Sequence, residues 1–179
     1  VVLNQPDSIE IDFIPTDPNC FGASDGSINT TVSGGTPTYD YLWSDFANTP
    51  NRNNLGEGLY SLLVRDLNNC TAFDSVSLST PDQLVLEDST VDLNCNGNNS
   101  GEIFISVSGG VTPYDFLWSD ASTDSNRFNL SAGTYVLTIT DDANCTLIDS
   151  FILSEPTALQ ITINNVEDLS CYQIGDGLA

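Results

Sequence analysis

The sequence predicts an all-β chain: tandem antiparallel β-sandwich domains of about 75 residues, joined end to end as a rod. Three observations carry that expectation. The first is an internal repeat. Cys20 and Cys95 lie 75 residues apart, as do Cys70 and Cys145, Trp43 and Trp118, and Tyr60 and Tyr135. Aligned without a gap, residues 1–75 and 76–150 are identical at 33 positions. The second is alternation of apolar and polar residues, the mark of half-buried strands. The third is punctuation: Gly, Pro, Asn and Asp clusters interrupt the alternation every 8–12 residues, the spacing of an all-β sandwich or barrel. A period this long is a whole small domain, not one turn of a solenoid.

Each element follows from the local pattern. Ile9, Ile11 and Phe13 alternate with polar residues and predict a first strand; Leu84 and Leu86 open the matching strand of the second copy. Residues 27–32 predict a strand that ends at the Gly34-Gly35 turn, and residues 39–43 predict another. Residues 59–65 and 135–140 are period-two strands following Gly58 and Gly133, and residues 72–78 close the unit. No stretch sustains a helical period. Six or seven strands per unit are expected, in an immunoglobulin-like arrangement with the tryptophan in the core. The tyrosine after Gly58 is a candidate for the corner tyrosine whose hydroxyl bonds back to the chain a few residues upstream.

The repeats divide the chain into 1–5, the end of a preceding repeat; 6–80; 81–155; and 156–179, a truncated start of a third. The chain begins in mid-pattern and reads as a fragment of something longer. No Gly/Ser tract separates the copies, so no flexible coil is expected between them. Pro81 and Pro156 sit at the joints. Proline fixes φ and removes a donor, which stops one sheet from running into the next.

Composition excludes several functions. The chain has 25 acidic residues, three basic ones and no histidine, for a formal charge of −22. Arg52, Arg65 and Arg127 are its only cations. Nucleic-acid binding needs phosphate neutralisation by Lys and Arg, and an anionic membrane surface repels such a chain. No apolar run approaches the roughly 18 residues of a membrane helix. Nucleophilic catalysis by a Ser-His or Cys-His pair requires the missing histidine. Yet 40% of residues are hydrophobic, too many for a disordered acidic tail.

The cysteines form two matched sets and a remainder. The spacing predicts one disulfide inside each repeat, Cys20–Cys70 and Cys95–Cys145, with Cys171 left unpaired by truncation. A 75-residue sandwich buries a modest core and gains from a staple. Closing a loop of about 50 residues stabilises by about 4 kcal/mol in the chain-entropy model. Free buried thiols are the weaker alternative, and without a Cys-x-x-Cys pair cysteine metal binding is weaker still.

The carboxylates are spread over both copies rather than paired beside a cleft, so glycoside hydrolysis is not expected and the chain reads as non-enzymatic. Their plain role is a solvated acidic surface that keeps a long fibre soluble. No cofactor is expected, with one alternative: structural calcium, which takes carboxylate and carbonyl oxygens. Asp66 and Asp141 at the ends of the tyrosine strands are its weak candidate ligands.

The ordered motifs resemble the SprB repeat. The first copy reads Cys20-Phe21-Gly22, Gly26-Ser27-Ile28, Val32-Ser33-Gly34-Gly35, Trp43-Ser44, Gly58-Leu59-Tyr60, Asp66 and Asn69-Cys70-Thr71. The second reads Cys95-Asn96-Gly97, Gly101-Glu102-Ile103, Val107-Ser108-Gly109-Gly110, Trp118-Ser119, Gly133-Thr134-Tyr135, Asp141 and Asn144-Cys145-Thr146. A third begins at Cys171 with Gly175-Asp176-Gly177. One departure is Asn99-Ser100-Gly101, where Asn-Asp-Gly is usual. The resemblance implies large repetitive surface adhesins of gliding Bacteroidetes, exported by type IX secretion and forming extracellular filaments. The same group is associated with O-glycosylation at Asp-Ser/Thr before a small or apolar residue, which makes Ser8, Ser75, Ser89 and Ser150 candidate sites.

The resulting expectation is a structural stalk module on the cell surface. Its partners are neighbouring repeats of its own chain, other rods through lateral association, and a surface polysaccharide or substratum reached through other parts of the parent protein. Two alternatives stand beside it: an array of weak carbohydrate-binding modules acting by avidity, and the spacer of a secreted multidomain enzyme. A sugar-binding array would place an exposed aromatic at the same position in each repeat.

Overall fold

A computed structural model describes residues 6–164. The expected tail of a preceding repeat at 1–5 and Cys171 lie outside the described residues. The described chain forms twelve strands and no helix. In the first half these are β1 (Glu10–Thr16), β2 (Gly26–Ser33), β3 (Tyr39–Trp43), β4 (Arg52–Leu55), β5 (Gly58–Asp66) and β6 (Thr71–Leu78). In the second they are β7 (Val85–Val91), β8 (Gly101–Ser108), β9 (Tyr114–Trp118), β10 (Arg127–Leu130), β11 (Gly133–Asp141) and β12 (Thr146–Leu153). Pairing is antiparallel throughout. Each half has two three-stranded sheets, β1-β2-β4 against β3-β5-β6 and β7-β8-β10 against β9-β11-β12.

Alternation builds the cores. Along β5, Leu62, Val64 and Asp66 point inward while Leu59 and Arg65 face solvent. Along β11, Leu137, Ile139 and Asp141 do the same. The first core gathers Ile28, Trp43, Leu55, Leu62, Val64 and Leu78; the second gathers Leu93, Ile103, Trp118, Leu130, Leu137, Ile139, Phe151 and Leu153. The two share no residue. Each Trp indole donates its N–H to a loop carbonyl, Thr49 at 2.8 Å and Asp124 at 2.7 Å. Both tyrosine hydroxyls bond back four residues, Tyr60 to the Gly56 carbonyl and Tyr135 to the Ser131 carbonyl, each at 3.0 Å. That is the corner-tyrosine contact expected from the sequence.

The copies keep volume around the tryptophan by different means. Phe13 on β1 packs tilted against Trp43 at 5.7 Å, and Phe151 on β12 packs against Trp118 at 5.5 Å. The equivalent positions are Asp88 in the second copy and Val76 in the first. One aromatic per core fills the space, from whichever strand supplies it, as close packing requires. Arg52 and Arg127 lie over the indole faces at 5.5 and 5.2 Å, each held by a forked bond to Asp45 or Asp120.

Gly26 and Gly101 mark close approaches inside each sandwich. A Cβ on Gly26 would stand 2.9 Å from the Leu55 carbonyl oxygen, and one on Gly101 would stand 2.7 Å from a Leu153 methyl carbon.

Candidate functional site

The features that distinguish this chain from an isolated sandwich converge on the joint between its halves. Residues 79–84 connect β6 to β7 and are anchored at both ends. The Ser79 N–H donates to Asp17 at 2.9 Å, and the Thr80 hydroxyl donates to Glu57 at 2.8 Å, both in the first half. The Gly110 N–H of the second half donates to the Asp82 carbonyl at 2.8 Å. Gly109 (φ +75°) lies so close under the linker that a Cβ there would come within 1.9 Å of the Gln83 carbonyl oxygen. Only glycine combines that conformation with that approach. Pro81 stands between the anchors without a donor of its own. The same seat recurs upstream, where the Gly35 N–H donates to the Asp7 carbonyl at 2.8 Å.

Beside the linker, Cys20 is bonded to Cys145, with Cα atoms 5.7 Å apart and a sequence separation of 125. This corrects the expected pairings Cys20–Cys70 and Cys95–Cys145: the disulfide joins the two repeats, and Cys70 and Cys95 are free and exposed. The reason lies in the poles of each sandwich. Cys20 sits in the loop before β2, beside the end of β6, where the Gly26 and Leu78 contact places the chain's exit. Cys70 sits at the opposite end, in the turn before β6. The eight residues of β6 span about 26 Å at 3.3 Å per residue, far beyond disulfide reach. Across the joint, the downstream pole of one repeat meets the upstream pole of the next, so the first cysteine of one faces the second cysteine of the other.

Asp66 and Asp141, the candidate calcium ligands, have a different occupation. Asp141 is 4% exposed. It accepts the Cys145 N–H at 2.8 Å on one oxygen and the Val111 N–H at 2.9 Å on the other. It therefore fixes the cysteine loop against the turn that seats the linker. Asp66 is likewise 4% exposed and accepts N–H groups from Thr36, Asn68 and Cys70 at 2.8–2.9 Å. On each carboxylate both oxygens already accept a backbone N–H. Among the described residues no group of three acidic, Cys or His side chains is placed to hold a metal ion. Burial opposes the charge of Asp66, but the N–H groups of Thr36, Cys70 and Asn68 outweigh it and hold the carboxyl below its ordinary range.

The sign of the resulting pH dependence follows from linkage. The depressed pKa means that the stabilisation from Asp66 is whole at neutral pH and is lost as pH falls through that lowered value. Asp66→Ala is expected to lower the melting temperature by several degrees at pH 7, and the deficit relative to wild type should shrink on acidification. Asp74→Ala, at an exposed position, is the control. Thermal melts at pH 7 and at pH 3 check both expectations; an equal deficit at the two pH values would contradict them.

A cleft of about 360 Å³ opens at the joint, bounded by Cys20, Phe21, linker residues 81–84 and the Asp141–Cys145 turn. The Asn19 carbonyl oxygen lies 3.5 Å from the Cys145 sulfur. The remaining candidates lie away from the joint. Ser75 on β6, Ser150 on β12, Ser89 on β7 and Ser8 just before β1 are all exposed, the first three on sheet edges.

Residues 13–48 and 88–123 each match the family model of the SprB repeat. The chain carries two SprB repeats. The two matches are offset by 75 residues, the internal period. Each runs from the first strand past the tryptophan, so Cys20 and Cys95 fall inside the SprB match while Cys70 and Cys145 fall outside it. A search of curated proteins returned no match. SprB repeats are structural modules of cell-surface proteins, and among the described residues no helix is long and apolar enough to cross a membrane.

Proposed function

We propose that this chain is a segment of the stalk of a large extracellular adhesin: a non-enzymatic, load-bearing series of SprB sandwiches that carries adhesive parts located elsewhere in the parent protein. The observation that carries this reading is the joint. A linker hydrogen-bonded to both repeats and a disulfide beside it leave little freedom for the repeats to swing, which suits a stiff shaft and is superfluous in a flexible spacer. The downstream pole of one repeat faces the upstream pole of the next, which suits in-line stacking. Export by type IX secretion and a role in gliding or surface attachment follow from what the repeat family implies. Glycans on Ser75, Ser89 or Ser150 would sit on exposed edges, and one on Ser8 just ahead of edge strand β1, where they would hinder sheet-to-sheet pairing between shafts. The acidic surface acts in the same direction.

The carbohydrate-array alternative calls for an aromatic exposed at one position in every repeat. Phe21, Phe46, Phe73 and Phe128 are exposed, and their counterparts are Asn96, Ala121, Ile148 and Asn53. None of these repeats as an aromatic, which favours the stalk. Small-angle scattering on the chain tests the proposal. An elongated particle of two beads, unchanged from low to high salt, is expected; a compact particle with the repeats side by side would overturn it.

A further inference from the structure

We propose that the joint disulfide is a repeating device: wherever a further SprB repeat follows, the first cysteine of each repeat bonds the second cysteine of the next. Cys95 is then one half of a joint to a following repeat, and Cys70 one half of a joint to a preceding one. The occupant of each half-site is another copy of this same repeat.

The argument rests on what surrounds the two free thiols. The closed joint has a downstream half, made by Cys20, Phe21 and linker residues 81–84, and an upstream half, made by Gly110, Asp141 and residues 144–147. A second hollow, of about 290 Å³, surrounds Cys95 and is lined by residues 94–96 and 156–159. Moved by 75 positions, Cys20, Phe21 and 81–84 fall on Cys95, Asn96 and 156–159. The Cys95 hollow is therefore the downstream half of a joint, repeated. Its linker is anchored in the same manner: the Ser154 N–H and hydroxyl donate to Asp92, both at 2.8 Å, as Ser79 does to Asp17. The Gly97 N–H also donates to Glu155 at 2.7 Å, holding the Cys95 loop against the chain that leaves it.

The upstream half is equally repeated around Cys70. Asp66 accepts the Cys70 N–H at 2.8 Å, as Asp141 accepts that of Cys145. Asn69 and Asn144 share a left-handed backbone, φ 65° at each. Thus both poles of the chain present the geometry that in the middle closes a bond. Intra-repeat pairing is not open to either thiol, because Cys70 lies at the pole of its sandwich opposite Cys20, Cys95 lies at the pole opposite Cys145, and those two partners are already bonded to each other.

Closing each bond removes two electrons and two protons from two thiols. A small-molecule disulfide, oxidised glutathione in the test, accepts them and leaves as two molecules of reduced glutathione.

Two extended chains test the inference. One carries an extra copy of residues 81–155 inserted after Glu155; the other carries an extra copy of residues 6–80 inserted before Pro6. Both are refolded in a glutathione redox buffer, alkylated, and mapped without reduction. In the first, Cys95 is expected to bond the inserted copy's second cysteine, and its alkylation should fall from complete to trace. In the second, Cys70 is expected to bond the inserted copy's first cysteine. Both should keep Cys20–Cys145. Changing the partner cysteine of the inserted copy to Ser should restore alkylation of Cys95 or Cys70 alone. Three results overturn the proposal: Cys70 and Cys95 still alkylated while Cys20–Cys145 persists, either thiol bonded within its own repeat, or loss of Cys20–Cys145 in both extended chains. Scattering from the unextended chain reports on the stalk reading separately.

Discussion

Unfolded in urea and digested with trypsin without reduction, the chain should release residues 66–127 unlinked, with Cys70 and Cys95 both alkylated. Residues 1–52 and 128–179 should remain joined by one disulfide. The three arginines are the only tryptic sites and happen to separate the cysteines cleanly. Pairing inside each repeat would instead bind 66–127 to both neighbours, so the readout is all or none. The energetic stake is not small. With the linker seated in both repeats, the bridge closes a 61-residue loop in each sandwich, from Cys20 to Pro81 in one and from Leu84 to Cys145 in the other. A loop of that length corresponds to about 4 kcal/mol in the chain-entropy model. The single inter-repeat bond therefore supplies each bead with the loop closure that a private staple would have supplied, provided the neighbouring bead is folded.

The second large effect is expected from Trp118→Ala. Trp118 is 2% exposed, donates to Asp124, stacks with Phe151 and lies under Arg127. Truncation leaves a cavity and removes the anchor of both flanking groups, at a cost of about 3–5 kcal/mol. For a domain this small, that lowers the melting temperature of the second repeat by on the order of 20 °C. Each repeat holds one tryptophan. Fluorescence of the Trp118→Ala chain therefore reports Trp43 alone. In the presence of reductant the Trp43 transition should stay where it is in wild type, while the circular-dichroism melt splits into two steps. A Trp43 transition that falls with the second repeat would mean that the cores behave as one.

Much of this architecture was legible in the residues. Residues 39–43 and the strands opening after Gly58 and Gly133 are explicit because alternation and turn residues agree over five or more positions. The strands β4 and β10 were not legible: four residues each, Arg-Asn-Asn-Leu and Arg-Phe-Asn-Leu, with a single buried side chain, Leu55 or Leu130. Such a segment has no period to detect. The cysteine partners are not legible, because a period of 75 is equally compatible with a bond inside a repeat and one to the next repeat. Only the direction of β6 separates them, and direction is a property of the folded sheet. In the sequence Asp66 and Asp141 stand out only for charge and loop position. Their actual work, accepting backbone N–H groups at the upstream pole of each repeat, follows from a burial that no local pattern announces. The exchange of Phe13 for Phe151 is hidden for a related reason: the two rings come from the first strand of one sandwich and the last strand of the other, and each reaches its tryptophan only in the folded sandwich.

The sulfur bridge also limits how far the molecule can be stretched. Pulled from its ends, the polypeptide would transmit tension from Cys20 directly to Cys145, and the stretch between them, a sequence separation of 125, would never enter the taut path. At 3.3–3.6 Å per extended residue, the bridge withholds roughly 400–450 Å of contour. A bead torn open by shear would thus remain a short closed loop hanging from the line, free to refold, while the tether itself barely lengthens.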